Sequence, residues 1–181
     1  MIRIKPAMLL PAILLPLVLF GQLRLTPDNG TISGTGHAKS HNFPLVIEDF
    51  TITVGLADSA GYRSVTVEIP AKSITTNNFV RDGHMRTAVI KVKKYPDITF
   101  IASTAAELAP GSGTVVGSLT LKGVTSEQSV DVTISERDGR LYASGSLAIV
   151  PSAFGLKLVG MGPMKVQDIV DLNFEFELPA Q

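Results

Sequence analysis

From residue 50 to residue 178 the chain repeatedly places apolar side chains at every second position. Successive side chains of a strand point to opposite faces, so this period dictates sheet with one apolar face and argues against helix. In residues 62–69, Val65, Val67 and Ile69 share a face, and Ser64, Thr66 and Glu68 share the other. Residues 97–104 alternate Ile98, Phe100 and Ala102 with Thr99, Ile101 and Ser103. Leu119 pairs with Leu121, and Val130, Val132 and Ile134 alternate with polar residues. Leu141, Ala143, Gly145, Leu147 and Ile149 form another stripe, and Ile52, Val54 and Leu56 a shorter one. Residues 170–178 are the clearest case, with Val170, Leu172, Phe174, Phe176 and Leu178 set against Asp171, Asn173, Glu175 and Glu177.

The connectors are short. Arg137-Asp138-Gly139-Arg140 carries the Asp-Gly pair of a tight hairpin, and 58–61 and 110–113 are turn-forming stretches. Such spacing predicts antiparallel neighbours rather than crossover helices. Residues 75–94 lack the period and are expected to hold one or two short helices; residues 22–29, with Pro27, Asp28 and Asn29, are expected to be a linker. Seven or eight strands with one apolar face each must bury it, in a sandwich or a closed barrel, and periodicity does not choose between them.

Residues 1–21 differ from the rest. Arg3 and Lys5 precede a run, 7–20, that is wholly apolar or Pro. That pattern predicts a secretory signal peptide; the lack of an Ala-x-Ala site before Gly21-Gln22 leaves an uncleaved N-terminal anchor, and membrane association through it, as the other reading. The run is short for a span, which needs roughly 20 residues, and Pro11 and Pro16 weaken a helix. The leader predicts a periplasmic or otherwise extracytoplasmic protein. With no Cys, the chain has no disulfide framework, thiolate metal site or Cys lipid anchor, so its core must hold it together. The balance of 16 basic and 16 acidic residues gives no footprint for nucleic acid.

Three features resist a chemical reading. His37, His41 and His84 would need the first two on a helix to bind zinc by their spacing, but Gly34 and Gly36 precede them and Pro44 follows, so solvated or hydrogen-bonded histidines are expected and no metal or other cofactor. Gly34-x-Gly36 and Gly111-x-Gly113 open no helix after a strand and read as turns rather than phosphate loops. No Gly-x-Ser-x-Gly exists to supply a nucleophile.

Several segments, in order, resemble the YceI-like family. They are Ser73-Ile74-Thr75-Thr76-Asn77 followed by Arg81-Asp82-Gly83-His84-Met85-Arg86; Tyr95-Pro96-Asp97-Ile98-Thr99-Phe100 with Ser103-Thr104; Gly117-Ser118-Leu119-Thr120-Leu121-Lys122-Gly123-Val124-Thr125; and Ala153-Phe154-Gly155-Leu156. The chain departs from the family pattern over 31–58 and at Val150-Pro151-Ser152-Ala153. The resemblance implies a lipocalin-like, antiparallel, eight-stranded barrel over residues 30–181 that holds a polyisoprenoid, quinone-like or fatty-acyl lipid without catalysing a reaction. It places Val67, Ile69, Ile98, Phe100, Leu119, Val132, Leu147, Phe154, Phe174 and Phe176 in the apolar pocket, and Arg81, His84 and Arg86 at its mouth.

Two readings of the polar cluster stay open: a mouth whose Arg forks bind a lipid head group, or a structural knot in which Asp82 caps a helical turn and pairs with an Arg. Small inward residues, Ala102, Ala143 and Gly145, hint at unfilled volume, and Met161 and Met164 could adapt to a lipid chain or simply fill core. The rivals are a filled barrel binding a membrane partner through its loops and, less favoured, a hydrolase using Asp82 and His84. The sequence fixes no oligomeric state, and a homodimer is compatible with it.

Overall fold

The computed structural model describes residues 21–57, 61–103, 106–107, 109–158, 160, 162 and 165–179. Residues 1–20, most of the 58–61 turn, and Met161 and Met164 lie outside them. The strands are β1 (Gln22–Leu25), β2 (Gly30–Ala38), β3 (Asn42–Ile47), β4 (Thr51–Leu56), β5 (Gly61–Pro70), β6 (Ile74–Thr75), β7 (Asp97–Ala102), β8 (Ala106–Glu107), β9 (Gly111–Leu121), β10 (Val124–Arg137), β11 (Arg140–Ile149) and β12 (Val166–Leu178). All pair antiparallel in one sheet, in the order β1-β4-β5-β7-β9-β10-β11-β12-β2-β3-β6, with β8 beside β5.

Two turns set the register of its longest strands. Asp138 and Gly139 take φ of 51° and 75°, and Lys122 and Gly123 take 54° and 76°. Two successive positive φ values are the type I′ geometry, whose twist matches that of paired strands, and Gly adopts it without a Cβ clash. The turns fix Arg137 opposite Arg140 and Leu121 opposite Val124.

Two expectations change. The residues read as a linker begin with β1, in which Leu25 is 2% exposed and faces Ile52 of β4. Leu23 and Leu25 alternate with Gln22 and Arg24, a signal of only two inward residues beside a Pro-Asp-Asn turn. The strands number twelve among the described residues rather than eight, because β1, β6 and β8 are two to four residues long and carry little periodic pattern. The 75–94 segment holds one helix, α1 (Phe79–His84), and a π-helical turn, Met85–Ile90, which ends at Lys91 with φ 62°.

β1 and β6 are the ends of the ladder path. The chain stitches that side with Ser73, a buried residue. Its backbone carbonyl accepts from Glu48 N (3.1 Å), and its Oγ lies 2.8 Å from the Pro70 carbonyl and 3.0 Å from that of Asp49. Next to this stitch, Phe50 packs edge-on to Phe176 with ring centroids 5.5 Å apart, joining the β3–β4 connection to β12.

Phe rings lie over glycines. Cross-strand partners put Phe174 against Gly145, Phe176 against Gly30 and Phe43 against Gly36, and Phe100 covers Gly117. A Cβ on Gly145 would fall 2.5 Å from Phe174 Cζ and 2.2 Å from the Asp131 carbonyl oxygen. Gly145 therefore leaves no empty volume at its own position, contrary to the sequence hint: a neighbouring ring occupies it.

Phe50 is 1% exposed and ties two parts of the sheet that no ladder joins. Phe50→Ala should destabilise the fold by about 3–5 kcal/mol, the usual cost of such a cavity, as read from urea unfolding. A loss below about 1 kcal/mol would show that the β3–β4 connection does not hold the barrel.

Candidate functional site

The apolar faces of the strands do not meet in the middle. They enclose a cavity of about 1150 Å³. Side chains of β1 to β7 and β9 to β12 enter it, so the sheet curls around one space. The volume lies at or above the upper end for ordinary small-molecule pockets, about 300–1,000 Å³.

The lining is almost entirely hydrocarbon and, among the described residues, contains no Asp or Glu. Tyr62 and Thr76 are its buried polar side chains, and burial pushes the Tyr62 hydroxyl above its ordinary range, keeping it a neutral donor. The exposed lining residues mark where the cavity meets water. They are His41 in the β2–β3 hairpin, Asn78, Val80 and His84 on α1 and its cap, and Lys157 and Gly160 beyond β11. The opening lies between these three segments.

Of the expected pocket residues, Val67, Ile69, Ile98, Phe100, Leu119, Val132, Leu147, Phe174 and Phe176 line the cavity. Phe154 does not. It is 1% exposed inside a 3-10 turn, Pro151–Phe154, that Gly155 ends at φ 65°, so its ring fills core beside the wall. Of the expected mouth residues, Arg81 and His84 line the cavity and Arg86 does not. Arg86 turns inward and donates to the Ile74 carbonyl (2.9 Å).

The polar cluster is largely a knot that holds α1 in place. Asp82, 6% exposed, accepts from Thr75 Oγ1 (2.7 Å), Thr76 N (2.8 Å) and Thr76 Oγ1 (2.5 Å). Capping falls instead to Asn78, whose side chain accepts from Arg81 N (3.0 Å). Arg81 donates from Nε to Thr76 Oγ1 (2.7 Å) and from its terminal nitrogen to the Thr76 carbonyl (3.0 Å), with its guanidinium 4.3 Å from the Phe43 ring centroid. Those bonds use two of the five N–H donors of the fork. Asp82 is thus a structural anchor without being the helix cap, Arg86 anchors beside it, and Arg81 both anchors and lines the cavity.

Among the described residues the carboxylate of Asp82 is taken up by Thr75 and Thr76, and no hydrogen bond joins it to His84. His37 bonds to Asn42 (3.0 Å) and Asp171 (2.8 Å), and His41 lies 2.9 Å from Ser40 Oγ. His41 and Lys157 are rim residues that sequence reasoning missed, because they sit in connections where no period marks an inward face.

The YceI-like domain profile matches residues 24–178, and the chain belongs to that family. A UPF0312 protein of Pseudomonas putida strain F1 is 28% identical over 123 residues, 62% of this chain and 60% of that protein. The chain thus spans about three-fifths of the length of that curated relative. BcnA of Burkholderia cenocepacia superposes with a TM-score of 0.70 at 22% identity, covering 83% of this chain and 96% of BcnA. A polyisoprenoid-binding domain from Saccharophagus degradans, implicated in plant cell wall breakdown, gives 0.69 at 17% identity, covering 88% and 99%. At these identities the two structures establish the barrel fold.

Burial alone would raise the Asp82 carboxyl, but the bonds from Thr76 and Thr75, with the Arg86 charge, outweigh it and hold it below its ordinary 3.8. A carboxyl held low in the folded state binds fewer protons than in the unfolded chain, so its stabilisation is complete above about pH 5 and is lost as pH falls through the folded value. Asp82→Asn should cost about 2–3 kcal/mol at neutral pH, with the gap from wild type shrinking in acid as urea unfolding is repeated down the pH scale. A gap independent of pH would mean that the charge on Asp82 does not contribute.

Proposed function

We propose that this protein binds a long apolar lipid of the polyisoprenoid, quinone-like or fatty-acyl kind inside its barrel, and carries or sequesters it outside the cytoplasm. The observation that carries the reading is the continuous apolar cavity of about 1150 Å³ with an opening to water. Each methylene moved from water into such a lining gains about 0.8 kcal/mol, so ten of them supply about 8 kcal/mol before the cost of ordering the chain. A compact polar ligand would meet almost no partners in the lumen and would forfeit its hydrogen bonds to water.

The ligand's polar end belongs at the opening, where His41, Asn78, Arg81, His84 and Lys157 offer donors and positive charge. The Saccharophagus domain named for polyisoprenoid binding shares the fold and adds support. The extracytoplasmic setting rests on residues 1–21, and N-terminal sequencing of the secreted protein would test it by locating a cleavage. The filled-barrel alternative loses its main premise, because the lumen is open rather than packed.

Delipidated protein titrated with a fluorescent polyene fatty acid should raise the probe's emission as it enters a dry site. Leu147 is half-buried and faces the lumen. Leu147→Gln places an unpartnered amide there and should weaken probe binding about tenfold or more while leaving the fold intact. Equal binding by the variant, or none by the wild type, would remove the lumen from the account.

A further inference from the structure

We propose that the open end of the barrel docks on an anionic bilayer, with Phe79 and Val80 entering the acyl region beneath a basic collar. Phe79 is 92% and Val80 78% exposed, the highest values among the described large hydrophobic residues, of which the next, Ile101, is 50% exposed. They are the first two residues of α1. The bonds of Asn78, Arg81 and Asp82 to their neighbours fix this helix, so the pair is held outward by a built support rather than by a loose tip. Leaving two large apolar side chains in water is unfavourable, and no described partner covers them.

Their position identifies what would cover them. Val80 also lines the cavity, so the apolar surface runs from the exposed pair into the lumen without a polar break at that residue. The charge around the opening is one-sided. Of the described residues that line the cavity up to its rim, Arg81 and Lys157 are basic and none is acidic, whereas the whole chain carries 16 basic and 16 acidic residues. Bases clustered beside an exposed apolar tip are attracted to anionic headgroups while the tip inserts. Among the described residues the lining presents no carboxylate to pair with the bases of a protein partner, whereas a lipid surface requires none. The inference rests on the lipid-binding reading in one respect: a carrier must exchange its cargo with a membrane, and this end is where the lumen opens.

The chain has no Trp, so Phe79→Trp is a lone fluorescent reporter at an exposed site. Full-length F79W added to vesicles of equal parts phosphatidylcholine and phosphatidylglycerol should shift its emission to shorter wavelength, and brominated acyl chains should quench most of it. Glu136 lies by the β10–β11 hairpin, at the end of β11 away from the opening, and E136W should show neither effect. Phosphatidylcholine alone should abolish most of the F79W response. An F79W emission unmoved by the mixed vesicles, or E136W quenched to the same depth, overturns the docking, and a response undiminished on phosphatidylcholine overturns the role of the collar. Filling of the lumen by the polyene probe is read on the same samples. A lumen that fills while F79W stays silent sinks the docking alone; an F79W that inserts while the lumen refuses the probe supports docking and sinks the carrier reading.

Discussion

A wide curled sheet must either fill its lumen with large side chains or leave it empty, and in this chain the contacts between Phe rings and glycines decide which. Phe174, Phe176, Phe43 and Phe100 supply much of the inward aromatic volume, yet each covers a glycine on the adjoining strand. The rings pack along the wall instead of crowding the axis. Glycine in a strand interior costs stability, and an aromatic neighbour that shields its backbone recovers part of it. The same contact that steadies the wall therefore keeps the lumen clear.

An apolar space of this size changes how stability is shared. Dispersion contacts are lost wherever a side chain faces a void, and water admitted there finds few partners. The fold compensates at its ends, with Phe50 against Phe176, Phe154 in its 3-10 turn, and the Asp82 knot that pins α1 beside the opening. What remains unsatisfied is the lumen itself. A ligand that binds only the folded chain adds stability in proportion to the logarithm of its concentration over its dissociation constant, so any ligand held in the lumen is thermodynamically linked to the fold.

The second half of the fold was legible from alternation, because strands such as β12 carry their whole apolar face within one stretch of sequence. The region 31–58 was not, and the reason is physical. On β2 the inward places fall at Ile32, Gly34, Gly36 and Ala38, and the apolar groups that cover the two glycines belong to Leu172 and Phe43 on neighbouring strands. A pattern read along one strand cannot register a side chain lent by another. β1 was too short to show its period beside the Pro27 turn, and Phe154 looked like lining only because its motif did not disclose the turn that buries it. Of the site, the aliphatic wall was readable and the rim only in part. Arg81 and His84 reach the cavity, Arg86 is spent on the Ile74 carbonyl, and His41 and Lys157 come from connections that alternation does not describe.

The central claim is that the cavity exists to hold an apolar chain. Mass spectrometry of organic extracts from the natively purified, full-length protein measures this without a choice of probe. The account predicts one long-chain lipid recovered per protein chain, with native mass spectra showing the same mass bound. Extracts free of lipid, from protein that also takes up no polyisoprenoid, quinone or fatty acid supplied to it, would contradict it.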